Sequence, residues 1–116
     1  MARTQLPVTT IIRAGATQPS VVYADITNNH SILNNDGRIF VEMANVSNAS
    51  NVNVTIDVAK FFDGDLTVVD LIVALAPAGV KYSGPFKTGV FNQNDDSVNI
   101  DVSSTGVSFR AYKLSP

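Results

Sequence analysis

Cysteine is absent from this 116-residue chain, which excludes disulfides, thiolate metal centres and cysteine nucleophiles at once. Tryptophan is absent too, Glu42 is the only glutamate and His30 the only histidine. No Gly-x-Ser-x-Gly elbow is present to expose an activated serine, and His30 stands among Asn28, Asn29 and Ser31 in an expected loop. It reads as a polar surface residue, replaceable by alanine without loss of function. No catalytic residue is assigned, and no enzyme activity is expected. The glycines are single and build neither a Walker loop nor a dinucleotide fingerprint, so no cofactor is expected either.

A basic cluster is also missing. The 8 Lys and Arg are scattered singly against 10 acidic residues, for a net charge of −2, and leave no electrostatic footprint for nucleic acid. No apolar run approaches the roughly 18 residues that suggest a membrane span. No signal-peptide core follows the charged start, so an unexported protein is expected. Met1 to Ala24 contains Arg3 and Arg13 and no acid, as organelle transit peptides do. Pro7 and the β-branched run Val8 to Ile12 oppose the amphipathic helix that such a peptide forms.

What the chain does have is alternation. Val52, Val54, Ile56 and Val58 are β-branched and apolar, with Asn53, Thr55 and Asp57 between them, the period of a half-buried strand. Ile39, Val41 and Met43 alternate in the same way with Phe40, Glu42 and Ala44, and so do Val98, Ile100 and Val102, then Val107, Phe109 and Ala111. Strands 39–44 and 52–59, joined by a loop at 45–51, are expected to be antiparallel neighbours. Turn signals separate these segments: Asn34 to Gly37, Asp63 to Asp65, Pro77 to Gly79, Ser83 to Pro85, Asn92 to Asp96 and Ser103 to Gly106. Leu71 to Ala76 is apolar without interruption, which predicts a central strand covered on both faces. Phe86 to Phe91 is expected to be a strand broken by Gly89. Eight or nine strands in one small chain, with turns every 8 to 12 residues or so, imply an all-β fold of two packed sheets or a barrel. At this length the chain makes one domain that buries roughly two-thirds of its unfolded surface.

Residues 1–20 differ from the rest: they carry no acid, hold Pro7 and Pro19, and present an apolar patch at Val8, Ile11 and Ile12. They read as an extended N-terminal arm ahead of a β-sandwich of residues 21–116. A β-prone arm is a template for adding a strand to a neighbouring sheet, with Leu6, Val8, Ile11 and Ile12 as apolar anchors and Arg3 and Arg13 as electrostatic ones. The alternative is that Val8 to Arg13 is the first strand of the domain's own sheet.

Other groups have ordinary explanations. Asp63 with Asp65, and Asp95 with Asp96, sit in turns, where Asp is favoured for its bonds to nearby backbone, and neither stretch has the ligand spacing of a calcium loop. No metal site is assigned. Asn-x-Ser/Thr triplets begin at Asn29, Asn45, Asn48 and Asn53, but glycan acceptors need an exported chain. Tyr23, Tyr82 and Tyr112 are dispersed along the sequence, which weakens a carbohydrate-binding reading.

One resemblance covers residues 34 to 114. Asn35-Asp36-Gly37-Arg38, the strand Val52 to Val58, Asp63-Gly64-Asp65-Leu66-Thr67-Val68-Val69-Asp70, Pro77-Ala78-Gly79, Gly84-Pro85-Phe86 and Phe91-Asn92, in that order, resemble small virion proteins of tailed bacteriophages, above all head decoration or cement proteins. The resemblance implies a single-domain antiparallel β-sandwich, jelly-roll-like, made in the bacterial host cytoplasm and seated on the capsid exterior of the virion. It implies the major capsid protein as partner and a homo-oligomer, a trimer foremost, without catalytic residues or cofactors. A neck, tail or fibre-associated protein, or an adhesive carbohydrate-binding β-sandwich, are the competing readings.

Overall fold

Alternation in the sequence becomes burial in the computed structural model, which describes residues 3–46, 50–58, 61–62, 66–67 and 69–115. Along β5 (Ile39–Asn45) every second residue from Ile39 is buried, while Phe40, Glu42 and Ala44 look outward. β6 (Val52–Ile56) and β11 (Val98–Val102) repeat the pattern with Val52, Val54 and Ile56, then Val98, Ile100 and Val102, inside. β12 (Val107–Leu114) contributes Val107, Phe109 and Ala111. The remaining strands are β1 (Thr4–Gln5), β2 (Val8–Ile11), β3 (Val22–Tyr23), β4 (His30–Ile32), β7 (Phe61–Phe62), β8 (Leu66–Thr67), β9 (Leu71–Leu75) and β10 (Val80–Ser83). A single helical turn, α1, spans Thr88–Phe91.

Two five-stranded sheets hold most of the chain. One runs β1-β4-β11-β6-β9; the other runs β10-β5-β12-β2, with β3 also on the outer side of β12. β7 and β8 form a separate hairpin. If β3, β4, β5, β6, β9, β10, β11 and β12 are counted as strands 1 to 8, their orders are 1-8-3-6 and 2-7-4-5. That is the jelly roll: the chain alternates between the two sheets, and of these eight strands only β6 and β9 follow one another within one sheet. The architecture hosts both viral capsid and lectin domains, so it selects no function by itself.

The core lies between the sheets and is made of the inward residues of β4, β5, β6, β11 and β12, with Leu6, Leu75 and Phe86. Each such side chain contributes roughly 1.5–3 kcal/mol of burial. The 34–37 turn is fixed from three sides. Asn34 and Gly37 adopt left-handed φ values of 57° and 89°. The buried Asn35 amide donates to the Phe86 carbonyl at 2.9 Å and to Asn92 Oδ1 at 2.6 Å. The Asp36 carboxylate takes Arg38 at 2.7 Å and Lys113 at 2.9 Å, and these cations hold it well below the usual carboxylate range. Gly84 is required where β10 ends, because its φ is 129° and a Cβ there would stand 2.9 Å from the Ile39 carbonyl oxygen and the Phe40 Cα.

Four expectations change. β5 and β6 are not neighbours: the loop between them crosses from one sheet to the other, so each finds its partners elsewhere. β9 is a terminal strand, not a central one. Residues 88–91 form a helical turn in place of a broken strand. The sheets are mixed rather than wholly antiparallel, because β1 runs parallel to β4 and β2 parallel to β12.

Candidate functional site

The two narrow sides of the sandwich are built differently. On one side the N-terminal chain is laced through the body. β1 pairs with β4, Leu6 drops between the sheets, and β2 then pairs with residues 111–114 of β12. The Leu6 amide donates to the Ser31 carbonyl at 2.9 Å, and the Thr4 amide to Asn29 at 2.9 Å. Val8–Ile11 is therefore a strand of the body's own sheet, within the Val8 to Arg13 of the alternative reading, and Thr4–Gln5 is a further one, so residues 4–11 are not a free arm ahead of residue 21.

The residues expected to anchor a partner are distributed accordingly. Leu6 is 3% exposed and belongs to the core, and Val8 packs against it. Arg3 is occupied within the chain: one guanidinium nitrogen donates to Asp101 at 2.6 Å and to the His30 carbonyl at 3.1 Å, and the other lies 3.8 Å from Asp57. Ile11 is half-buried, while Ile12 and Arg13 face solvent. Removing the segment would thus take away two strands and a core side chain, and would not leave an intact body.

His30 is the centre of this lacing and not a surface loop residue. It lies on β4, fully buried, with its ring 5.0 Å from that of Phe109. Nε2 accepts the Asp25 amide at 2.9 Å, so Nδ1 carries the proton and donates it to the Thr4 carbonyl at 3.2 Å. Burial holds the ring neutral by lowering its pKa from 6.5. Asp25 in turn accepts the Thr4 hydroxyl at 2.6 Å and the Thr27 and Asn28 amides at 3.1 Å, which pull its pKa down to about 2. Asp57 behaves in the opposite way. Burial, then its neighbour Asp101, push its pKa up to about 7, and Arg3 only partly offsets them.

The other narrow side is open. β9 and β10 are the terminal strands of their sheets there, linked by the turn at 76–79. The outward positions of the β9 sheet are Ser31, Asn53, Thr55, Asn99 and Asp101, and then, on β9 itself, Ile72 and Ala74. Polarity stops at the last strand. Val69 is 83% exposed, Ile72 56%, Leu71 40% and, across the turn, Val80 53%. The composition of β9 is that of a strand covered on both faces, yet among the described residues nothing covers one face and one edge.

The broad outer face of the other sheet carries an aromatic cleft. Register places Tyr82, Glu42 and Arg110 in one row across β10, β5 and β12, and Phe40 beside Tyr112 in the next. The rings of Phe40 and Tyr112 stack 5.4 Å apart, and Tyr82 lies 6.5 Å from Phe40 on its other side. Glu42 sits at the floor, accepting Arg110 at 2.8 Å and the Tyr112 hydroxyl at 3.4 Å. Arg110 also donates to the Pro19 carbonyl at 2.9 Å, which draws the 16–19 segment over the sheet as the far wall. The Glu42 charge raises the pKa of Tyr82; burial first, and then the same charge, raise that of Tyr112. The cleft encloses about 390 Å³ between Ile11, Ala16–Gln18, Phe40, Glu42, Tyr82 and Tyr112. A second lobe of about 420 Å³ continues past Phe40 and Tyr82 towards Pro85 and Leu114.

Tyr82 and Tyr112, far apart in sequence, are thus brought together, while Tyr23 stands apart on β3. One signal for the cluster was present: Phe40 and Tyr112 occupy the outward slots of alternating strands, where polar residues are usual. The other sequence candidates are structural. Asp95 accepts the Ser97 hydroxyl at 2.6 Å within its own turn, and among the described residues no group of His, Asp or Glu is placed to hold a metal ion. Asn29 accepts the Val102 amide at 3.0 Å, Asn45 is buried, and Asn53 lies on a strand. Asn48, Asp63 and Asp65 lie outside the described residues. No helix among the described residues is long and apolar enough to cross a membrane. No protein family, curated protein or solved structure matches the chain.

Proposed function

We propose that this protein is a non-enzymatic virion structural protein, a decoration protein on the outside of a tailed-phage head, where it binds the major capsid protein and stabilises the shell. The observation that carries the reading is the open side of the sandwich. Val69 just before β9, Leu71 at its start, Ile72 on its outer face and, across the turn, Val80 on the outer face of β10 are exposed apolar side chains around two terminal strands, which an isolated domain keeps short, charged or covered. A shell subunit seated against β9 and β10 supplies the missing cover, by strand addition, by apolar contact or by both. The resemblance of residues 34–114 to head decoration proteins points to the same partner. The arrangement on a repeating lattice then adds the gain of many weak contacts.

This reading moves the contact from the N-terminal segment to the opposite side of the body. Mixing the purified protein with undecorated heads and sedimenting them tests it. Binding in copy numbers comparable to the shell subunit is expected, and Ile72→Asp should abolish it while the free protein stays folded. A handful of copies per particle would instead fit a neck or tail component, and failure to sediment would overturn both. Light scattering on the free and released protein measures the oligomer, for which a trimer is the expectation.

A further inference from the structure

We infer that the cleft over Phe40, Tyr82 and Tyr112 is a binding site for a neutral oligosaccharide, a second function independent of shell binding. Three features select the ligand class. The first is charge. An aromatic box with a carboxylate at its floor would trap a cation if that carboxylate were free, but Glu42 is already paired with Arg110 at 2.8 Å. Glu42 on the floor offers a strong acceptor whose charge Arg110 already balances. An anion meets the carboxylate and a cation finds it already neutralised; a sugar hydroxyl, which can donate to it, suits the floor.

The second feature is shape. Tyr82 is 65% exposed on the outer face of its strand, beside Phe40 and above the floor, so flat ring surface is presented to solvent rather than used in the core. Sugar rings carry a face of C–H groups that packs on the electron-rich face of an aromatic ring, while their rims hydrogen-bond to polar neighbours. The third is extent. The main lobe, about 390 Å³, lies within the roughly 300–1,000 Å³ of small-molecule sites. The second lobe lies against the same two rings, Phe40 and Tyr82. Two lobes on shared rings fit linked sugar units better than one.

The cleft and the open side meet on β10, which carries both Tyr82 and Val80, but the cleft's far wall at residues 16–18 belongs to neither terminal strand, so a substitution there separates the two surfaces. The test uses saturation-transfer and amide-shift NMR on the full chain with four neutral probes, cellotetraose, maltotetraose, tetra-N-acetylchitotetraose and mannotetraose, and with tetragalacturonate as a charged control. At least one neutral probe is expected to bind with an affinity on the order of millimolar or tighter, with shifts centred on residues 16–18, 40–42, 82 and 112. Tyr82→Ala should weaken that binding at least about tenfold by removing the exposed ring. Ala16→Trp, which fills the cleft from its loop wall without altering the sheet, should abolish it. Shell binding in the sedimentation assay should be unchanged in Ala16→Trp. Absence of binding by all four neutral probes, binding of tetragalacturonate alone, or binding that survives both substitutions would overturn the inference.

Discussion

The closed and the open side of this sandwich use the same backbone element, a strand at the end of a sheet, with opposite results. On the closed side, short strands β1 and β2 are tied down by Leu6, Arg3, Thr4 and His30, and the Thr4 and Leu6 amides and the Thr4 carbonyl each meet a partner within the chain. On the open side, β9 is five residues long and wholly apolar, and it and β10 end their sheets. The difference separates cohesion from contact. Side chains on the first side hold the fold; on the second, Leu75 and Val73 do so while Val69, Ile72 and Val80 face outward.

The comparison breaks most visibly if the closed side is removed. A chain starting at residue 12 lacks β1, β2 and Leu6, and thermal melting should show loss of the cooperative transition. His30→Ala comes next. It deletes a fully buried ring and leaves the Asp25 amide and the Thr4 carbonyl without their partner, and urea unfolding should record a loss of about 3 kcal/mol. The expectation that this substitution is harmless is therefore withdrawn.

A subtler handle is pH, which acts on the closed side with two signs. The folded protein holds the Asp57 proton more tightly than the unfolded chain does, so stability is shed as pH rises from the ordinary carboxylate value of 3.8 to about 7. His30 works the other way: the unfolded chain takes up a proton near 6.5 while the buried ring resists, so stability is shed as pH falls below that value. Urea midpoints followed from pH 4 to 8 should separate the two. Below pH 6.5 the two slopes oppose each other, so Asp57→Asn, which removes the loss on raising the pH, should leave a midpoint that climbs with pH up to about 6.5; an unchanged profile would refute the assignment.

The smallest effect on stability belongs to the open side. Ile72→Asp should change the unfolding free energy by no more than about 0.5 kcal/mol, because the side chain is 56% exposed and covers little of the core. Its expected consequence is lost shell binding. A large destabilisation would mean that Ile72 serves the fold after all, and the contrast between the two sides would fail.

The sheets were legible where burial follows local alternation, as in β5, β6, β11 and β12. They were least legible where neighbours are chosen by long-range topology. Nothing local to residues 39–56 says that the loop at 45–51 changes sheet, and an uninterrupted apolar run such as Leu71–Leu75 looks the same whether its second face meets a helix, a sheet or another molecule. His30 misled for a related reason: its polar neighbours Asn28 and Asn29 are in a turn, but the histidine is already the first residue of β4. The aromatic cleft depends on register across three strands, β10 against β5 and β5 against β12, which alternation constrains to a face but not to a row.

The lacing of the closed side also bears on how the molecule is made. Val8 pairs with Ala111 and Ile11 with Leu114, almost the whole polypeptide apart, so this junction carries the largest loop-closure entropy in the domain and has no local hairpin to nucleate it. Until it forms, part of one flank of β12 is bare. In pulse-labelled hydrogen exchange during refolding, the amides of residues 8–11 should accordingly be among the last to gain protection, after those of β5, β6 and β11.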